Sequence, residues 1–210
     1  SSRCLGRYDQ LVGDLDRLLR LKPNDAEAWV NRGSGRRIAS DFSGALRDAR
    51  QALRRAPRSA DARILESEAL RNLGHVQEAE GAASRAVEAR PAYGWGYVVR
   101  GKARRQGGDL EGALADFRRA ARLNSRDAKA RGWEADALRK LGHLEAAAAA
   151  ADKAITLEPS CAWAVALGGE IDRELGRVKE GFEKTRRAVD LDGNCSCAYD
   201  FLGADPPSVR

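Results

Sequence analysis

A period of 34 residues runs through this chain, and it leaves few folds open. Pro23, Pro57, Pro91 and Pro159 stand at multiples of 34 from one another, with Ser125 and Gly193 at the two missing steps. Ala52, Ala86, Ala120, Ala154 and Ala188 form a second ladder, and Ala45, Ala79, Ala113 and Ala147 a third that Gly181 continues. Gly74, Gly108, Gly142 and Gly176 form a fourth, with Ser40 and Gly6 in the same register. Ladders that share one period and one phase describe one small unit, repeated and stacked.

Each period carries the same local signals. About 14 residues lead up to the Gly74-type position and read as a helix, which the glycine caps in the left-handed conformation. A second helix follows, such as Leu110 to Leu123, and the proline closes the unit. Ala45 and Ala52 are seven apart, so they share a face of the second helix and let the paired helix approach closely.

The pattern resembles the tetratricopeptide repeat, a 34-residue helix–turn–helix unit. Glu-Ala-Trp at 27–29, Gly33, Gly-Asp at 108–109, Ala113, Phe117, Ala120 and the closing Pro23-type residue carry the resemblance. It implies an all-α fold, a right-handed α-solenoid of stacked units. Five full units are expected at 26–59, 60–93, 94–127, 128–161 and 162–195. Residues 1–25 read as the second helix of a truncated repeat, with that helix at 6–25. Residues 196–210 read as the start of a further helix and a linker through Asp205-Pro206-Pro207-Ser208. The absence of methionine reads as a fragment cut from a longer protein. Ala49, Ala83, Ala151 and Thr185 stand where the family usually places a bulky aromatic residue, and only Phe117 keeps it. Arg63 and Arg131 replace a large apolar residue. A lean core that depends on neighbour stacking is expected.

Composition excludes several classes. The 43% apolar content is enough for a core, which argues against wholesale disorder. No run reaches the roughly 18 apolar residues of a membrane span. Cys4, Cys161, Cys195 and Cys197 are too few and too uneven for a disulfide framework, so free thiols and a cytoplasmic location are expected. His75 and His143 sit two units apart, too far to share a metal, and Cys161 with Cys195 and Cys197 falls short of four zinc ligands. Neither a nucleotide-binding glycine loop nor a nucleophile motif is present. The chain reads as a non-enzyme without cofactors.

A second period of 68 overlies the first. Val30, Arg32, Gly33, Arg36, Arg37, Asp41, Gly44, Ala45, Leu46 and Asp48 recur 68 residues later. Arg32–Asp48 and Arg100–Asp116 are therefore expected ion pairs between the two helices of a unit. The alternate units carry Glu66 and Glu134 instead, with Ala82 and Ala150.

The family resemblance implies a concave groove lined by first helices. Arg37, Arg71, Arg105, Arg139 and Arg173 form an unbroken ladder on that face. Guanidinium groups spaced about 10 Å apart suit an acidic peptide, a carboxylate terminus or a phosphate. Against this, Glu68, Asp136 and Glu170 stand three residues before Arg71, Arg139 and Arg173, where they can neutralise them locally. By that logic only Arg37 and Arg105 lack a partner, and Lys102 adds charge beside Arg105. Residues 26–125 carry a net charge of +7 and residues 126–195 carry −1, so the positive field lies in the earlier units. Trp95 and Trp163 take groove positions as candidate hot spots, or else pack on the neighbouring unit. Trp29 and Tyr97 occupy a structural aromatic position.

The candidate ligand-binding set is therefore Arg37, Arg71, Trp95, Lys102, Arg105, Arg139, Trp163 and Arg173. The leading expectation is a scaffold that binds a peptide segment of another protein, an acidic one. The alternative is a regulatory or substrate-recruiting array of a larger enzyme. Nucleic-acid binding fits the basic composition, but interleaved Glu68, Asp136, Glu170 and Glu174 break the continuous positive track it needs. Self-association through exposed array ends is a further expectation.

Overall fold

The computed structural model describes residues 2–192, with side chains from residue 10 onward. Eleven helices and no strand occur among them: α1 (Ser2–Leu21), α2 (Ala26–Ile38), α3 (Phe42–Arg55), α4 (Ala60–Asn72), α5 (Val76–Ala89), α6 (Gly94–Gln106), α7 (Leu110–Leu123), α8 (Ala128–Lys140), α9 (Leu144–Leu157), α10 (Ala162–Glu174) and α11 (Val178–Leu191). The fold is an all-α helical repeat. The expectations for Gly6, for Cys4, Cys195 and Cys197, and for residues 196–210 fall outside the described side chains or residues.

The helices group into two compact units, Ser1–Asp109 and Leu110–Arg210. In the first, α2 packs on α3, α4 on α5, and α4 also on α2 and α6. In the second, α8 packs on α9, and α10 on both α11 and α8. First helices thus line up on one face of each unit.

The punctuation follows from the sequence. Asp25, Ser59 and Asp127 each accept a hydrogen bond from the backbone N–H three residues on, at 3.0 to 3.2 Å, satisfying a donor the helix leaves unpaired. Each first helix ends in the same motif: His75 N donates to Leu70 O at 3.0 Å, as Asp41, Asp109, His143 and Arg177 do to their own helices. This geometry needs a left-handed residue just after the helix. Gly74, Gly108, Gly142 and Gly176 supply it with φ of 78° to 91°, and among the described residues Ser40 alone adopts it with a side chain, at φ 63°.

The ladder alanines are the contact surface. Ala45, Ala49, Ala52, Ala79, Ala83, Ala113, Ala147 and Ala154 are fully buried; Ala45 and Ala49 cluster with Leu65 and Ala69, and Ala83 with Ile64, Ala86 and Val99. The expected leanness is real: where Phe117 fills space in one unit, Ala49, Ala83 and Ala151 fill it in others. Helices α10 and α11 approach closely. A Cβ on Gly181 would stand 2.8 Å from the Gly169 carbonyl oxygen, so the two backbones touch because both residues are glycine.

Charge supplements this thin core. Asp48 is 1% exposed. Arg32 donates to it from Nε at 2.9 Å and Nη2 at 2.6 Å, and Arg36 Nη1 donates at 3.0 Å. The expected Arg32–Asp48 pair therefore exists, and Arg36 joins it. Arg100 and Asp116 belong to different compact units, and their pairing stays an expectation. In the alternate units the carboxylate moves to the first helix. Glu66 is held by Arg63 at 2.9 Å and Arg50 at 4.0 Å, and Glu134 by Arg131 at 2.9 Å and Arg118 at 3.2 Å. Of the 68-residue recurrences, the structure thus shows the Glu66 and Glu134 arrangement twice and the Asp48 arrangement once. It also explains Arg63 and Arg131, whose charges serve Glu66 and Glu134.

Two stability tests follow. Asp48→Ala leaves two guanidinium groups facing an apolar site and should cost about 3 to 5 kcal/mol in urea unfolding. Ser40→Gly removes a strained left-handed side chain and should add about 1 kcal/mol, measured the same way.

Candidate functional site

The face of α2, α4 and α6 presents side chains in rows across the three helices. Counting from the helix starts, the rows are Glu27, Asp61 and Trp95; Val30, Ile64 and Val98; Ser34, Glu68 and Lys102; and Arg37, Arg71 and Arg105. The second row is the apolar floor, with Ile64 and Val98 buried. The last two rows bring the cations of three helices together around one buried carboxylate, Glu68.

The pairing differs from what sequence neighbours suggest. Glu68 lies three residues before Arg71, yet its ion pair is with Arg37 of α2, at 3.3 Å. The expectation that Arg37 has no partner is therefore corrected. Arg71 is half-buried, and among the described residues no carboxylate oxygen lies within 4.0 Å of its guanidinium. Its Nη1 donates to Gln106 Oε1 at 3.3 Å, and Gln106 Nε2 donates back to the Arg71 carbonyl at 3.3 Å. A neutral amide holds this arginine in place without cancelling its charge.

Lys102 is the second member of the pair. It projects from α6 with its Nζ 6.0 Å from the Trp95 ring centroid, the outer reach of a cation–π contact. Burial pushes its pKa down to about 8; Arg71, Arg37 and Arg105 add to the fall, and Glu68 opposes it. Burial likewise lowers the Arg71 pKa, with repulsion from Arg105 and Arg37 set against attraction by Glu68. A partly desolvated cation among like charges is costly by itself and gains when an anion arrives.

The second unit holds the same ladder in the opposite electrostatic state. Arg139 on α8 meets Glu174 at 2.7 Å, Glu170 at 3.2 Å and Asp136 at 3.7 Å. Burial disfavours its charge, but the Glu174 hydrogen bond and the three carboxylates outweigh it and hold the pKa above the ordinary value. Glu170 in turn has a raised pKa, from burial first and then from Asp136 and Glu174. Arg173 is exposed near the end of α10. The local neutralisation expected at Arg139 is present, but the shorter contacts come from the next first helix.

The tryptophans are mostly packing. Trp95 is half-buried against Ile64, Ala83, Ala86 and Val99, with the Lys102 ammonium over its ring. Trp163 meets Trp133 in a tilted contact, with ring centroids 4.7 Å apart, and covers Gly132, where any Cβ would overlap its ring. Trp133 stacks in turn on Phe117 at 6.0 Å. Trp29 packs beside Leu15, Leu19 and Ala28, with Arg32 and Arg55 over its ring. Sequence reasoning places Gln106 on this face by register but leaves it out of the binding set, and its role in orienting Arg71, 35 residues before it, comes from the structure. Among the described residues no group of His, Cys, Asp and Glu is placed to hold a metal. No helix there is long and apolar enough to cross a membrane.

Because Lys102 is easier to deprotonate folded than unfolded, it disfavours folding while charged. Its contribution to stability therefore rises with pH from about 8 toward the ordinary lysine range. In an NMR titration of its side chain, Arg71→Ala should raise the Lys102 pKa, and Glu68→Gln should lower it.

Among known proteins, the family model described as tetratricopeptide repeat matches residues 39–93 and 98–162. No curated protein matches the chain. Several solved structures share the fold. TTC0263, a thermophilic TPR protein of Thermus thermophilus, is 22% identical, covers 85% of this chain and 97% of its own, and superposes with a TM-score of 0.75. YrrB, described as a TPR protein with an unusual peptide-binding site, is 19% identical over 90% of this chain and 97% of its own, at 0.61. PilW, a type IV pilus biogenesis factor, is 20% identical over 93% and 90%, at 0.79. At these identities the likeness is one of fold. With a family match over more than half its length and the helical pairs, caps and alanine contacts described above, the chain belongs to the tetratricopeptide repeat family.

Proposed function

We propose that the chain is a non-catalytic binding module whose α2–α4–α6 face captures an acidic peptide segment of a partner protein. The observation that carries this reading is the contrast between Arg71 and Arg139. The two are equivalent in the repeat. Arg139 is satisfied by three carboxylates, whereas Arg71 is anchored by a neutral amide and stands beside Lys102. A partner carboxylate at this point would relieve the partly desolvated Arg71, whose guanidinium presents a fork that matches it. Arg37 and Arg105 add to the local field, and Trp95 borders it. The +7 net charge of residues 26–125 steers such a partner toward this face. Arg139, Trp163 and Arg173 are then parts of a separate, largely self-neutralised surface.

The peptide-binding description of YrrB accords with this reading but belongs to that protein. The same face could serve a larger enzyme by recruiting its substrate or regulator, which leaves the local chemistry unchanged. A cytoplasmic setting belongs to the reading as well, on the uneven cysteine count.

The test is a pull-down from lysate with the chain and an Arg71→Ala/Lys102→Ala variant, with and without nuclease, followed by affinity measurement on the recovered protein partner. The double variant should lose about tenfold or more in Kd, while Arg139→Ala stays within about twofold. Retention of the partner by the double variant would contradict the assignment, and loss on nuclease treatment would point to nucleic acid. Affinity should also fall as pH rises through about 8, where Lys102 loses its charge.

A further inference from the structure

The α2–α4–α6 face has a second pole. Glu27 and Asp61 occupy equivalent positions in the first turns of α2 and α4. They border a cavity of about 460 Å³ together with Ala26, Val30, Asn31 and Ser59. Glu27 is exposed and makes no ion pair among the described residues. Asp61 pairs with Arg90 at 3.0 Å, both about half exposed, an arrangement of little strength. Ten residues along the same two helices stand Arg37 and Arg71. At 1.5 Å per residue that is about 15 Å. Between the poles lies the Val30 and Ile64 floor, which gives an extended backbone something to pack on. The face is therefore acidic at one edge, apolar in the middle and basic at the other edge.

We propose that this face selects a peptide with a cationic side chain at the Glu27–Asp61 edge and an anionic side chain at the Arg71–Lys102 edge, about five residues apart. The inference rests on the peptide-binding reading and adds a composition and a spacing to it. An extended chain advances about 3.3 Å per residue, so a 15 Å separation corresponds to four or five positions. Such a segment lies on the face parallel to the helix axes. A segment running from α2 toward α6 along one edge would meet one sign of charge only, and spacing would not matter to it. The second unit lacks this polarity, since Lys129 and Trp163 hold the equivalent of the acidic edge.

The experiment is an NMR titration of the isotope-labelled full chain at low ionic strength and pH 7, which reads dissociation constants up to the millimolar range. The probes are ten-residue peptides of alanine and serine carrying one lysine and one glutamate two, five or eight positions apart, in both orders, with glutamate-only and lysine-only controls. In one of the two orders, the five-spaced peptide should bind about fivefold tighter than the two- and eight-spaced ones and the glutamate-only control. A Glu27→Gln/Asp61→Asn variant should lose that advantage and keep its affinity for the glutamate-only peptide. Equal binding of the glutamate-only and all spaced peptides would overturn the two-pole inference and leave the acidic-peptide reading standing. If no peptide binds, or if Arg71→Ala/Lys102→Ala binds them all equally well, both fail together.

Discussion

Alanine at the helix contacts sets the terms for the rest of this structure. Small side chains let paired helices approach closely, but each buries little apolar area. The chain makes up the difference with buried carboxylates. Asp48, Glu66, Glu134 and Asp172 are all under 9% exposed, and each is held by cations from its own or an adjacent helix. A buried pair of this kind adds little net stability, yet removing either partner is expensive. The charges therefore fix which helix faces which, and the alanines fix how close they come.

That design makes an incompletely matched charge informative. In an interior that otherwise pairs its ions, Arg71 stands out because its neighbour in sequence, Glu68, turns to Arg37 instead. The adjacent Lys102 then sits among cations from three helices. The second unit places Asp136, Glu170 and Glu174 around the equivalent arginine. One ladder in the sequence thus yields two sites of opposite electrostatic character. Evolution of such an array can retune a face by exchanging single acids, since the helical frame carries the positions unchanged.

The frame was legible in the sequence because it depends on local signals at a fixed interval. The second helix expected at Leu110 to Leu123 is the one observed, and Ser40 falls in the glycine register with the positive φ that register requires. The Arg32–Asp48 pair was legible for the same reason, as a recurrence at 68 residues. Electrostatic pairing across first helices was not. The i,i+3 rule assigned Glu68 to Arg71, but contacts 31 and 35 residues away decide the state of each arginine, through side-chain reach and burial. Gln106 takes a groove position by register, but its hold on Arg71 depends on side-chain geometry that register does not carry. Trp163 looked like a groove residue by position, yet Gly132 leaves a space that its ring fills.

The central claim is that Arg71 and Lys102 form an anion site whose lysine is only partly charged until it is occupied. The most direct measurement is the proton balance of binding. Isothermal titration at pH 8 would use a capped peptide with glutamate as its only titratable side chain, in two buffers of different ionisation enthalpy, HEPES and Tris. The bound anion should raise the Lys102 pKa from about 8 and draw in roughly half a proton per peptide. The observed enthalpies would then differ between buffers, and Lys102→Met would abolish the difference. Equal enthalpies in the two buffers for the unaltered chain, or proton release, would contradict the account.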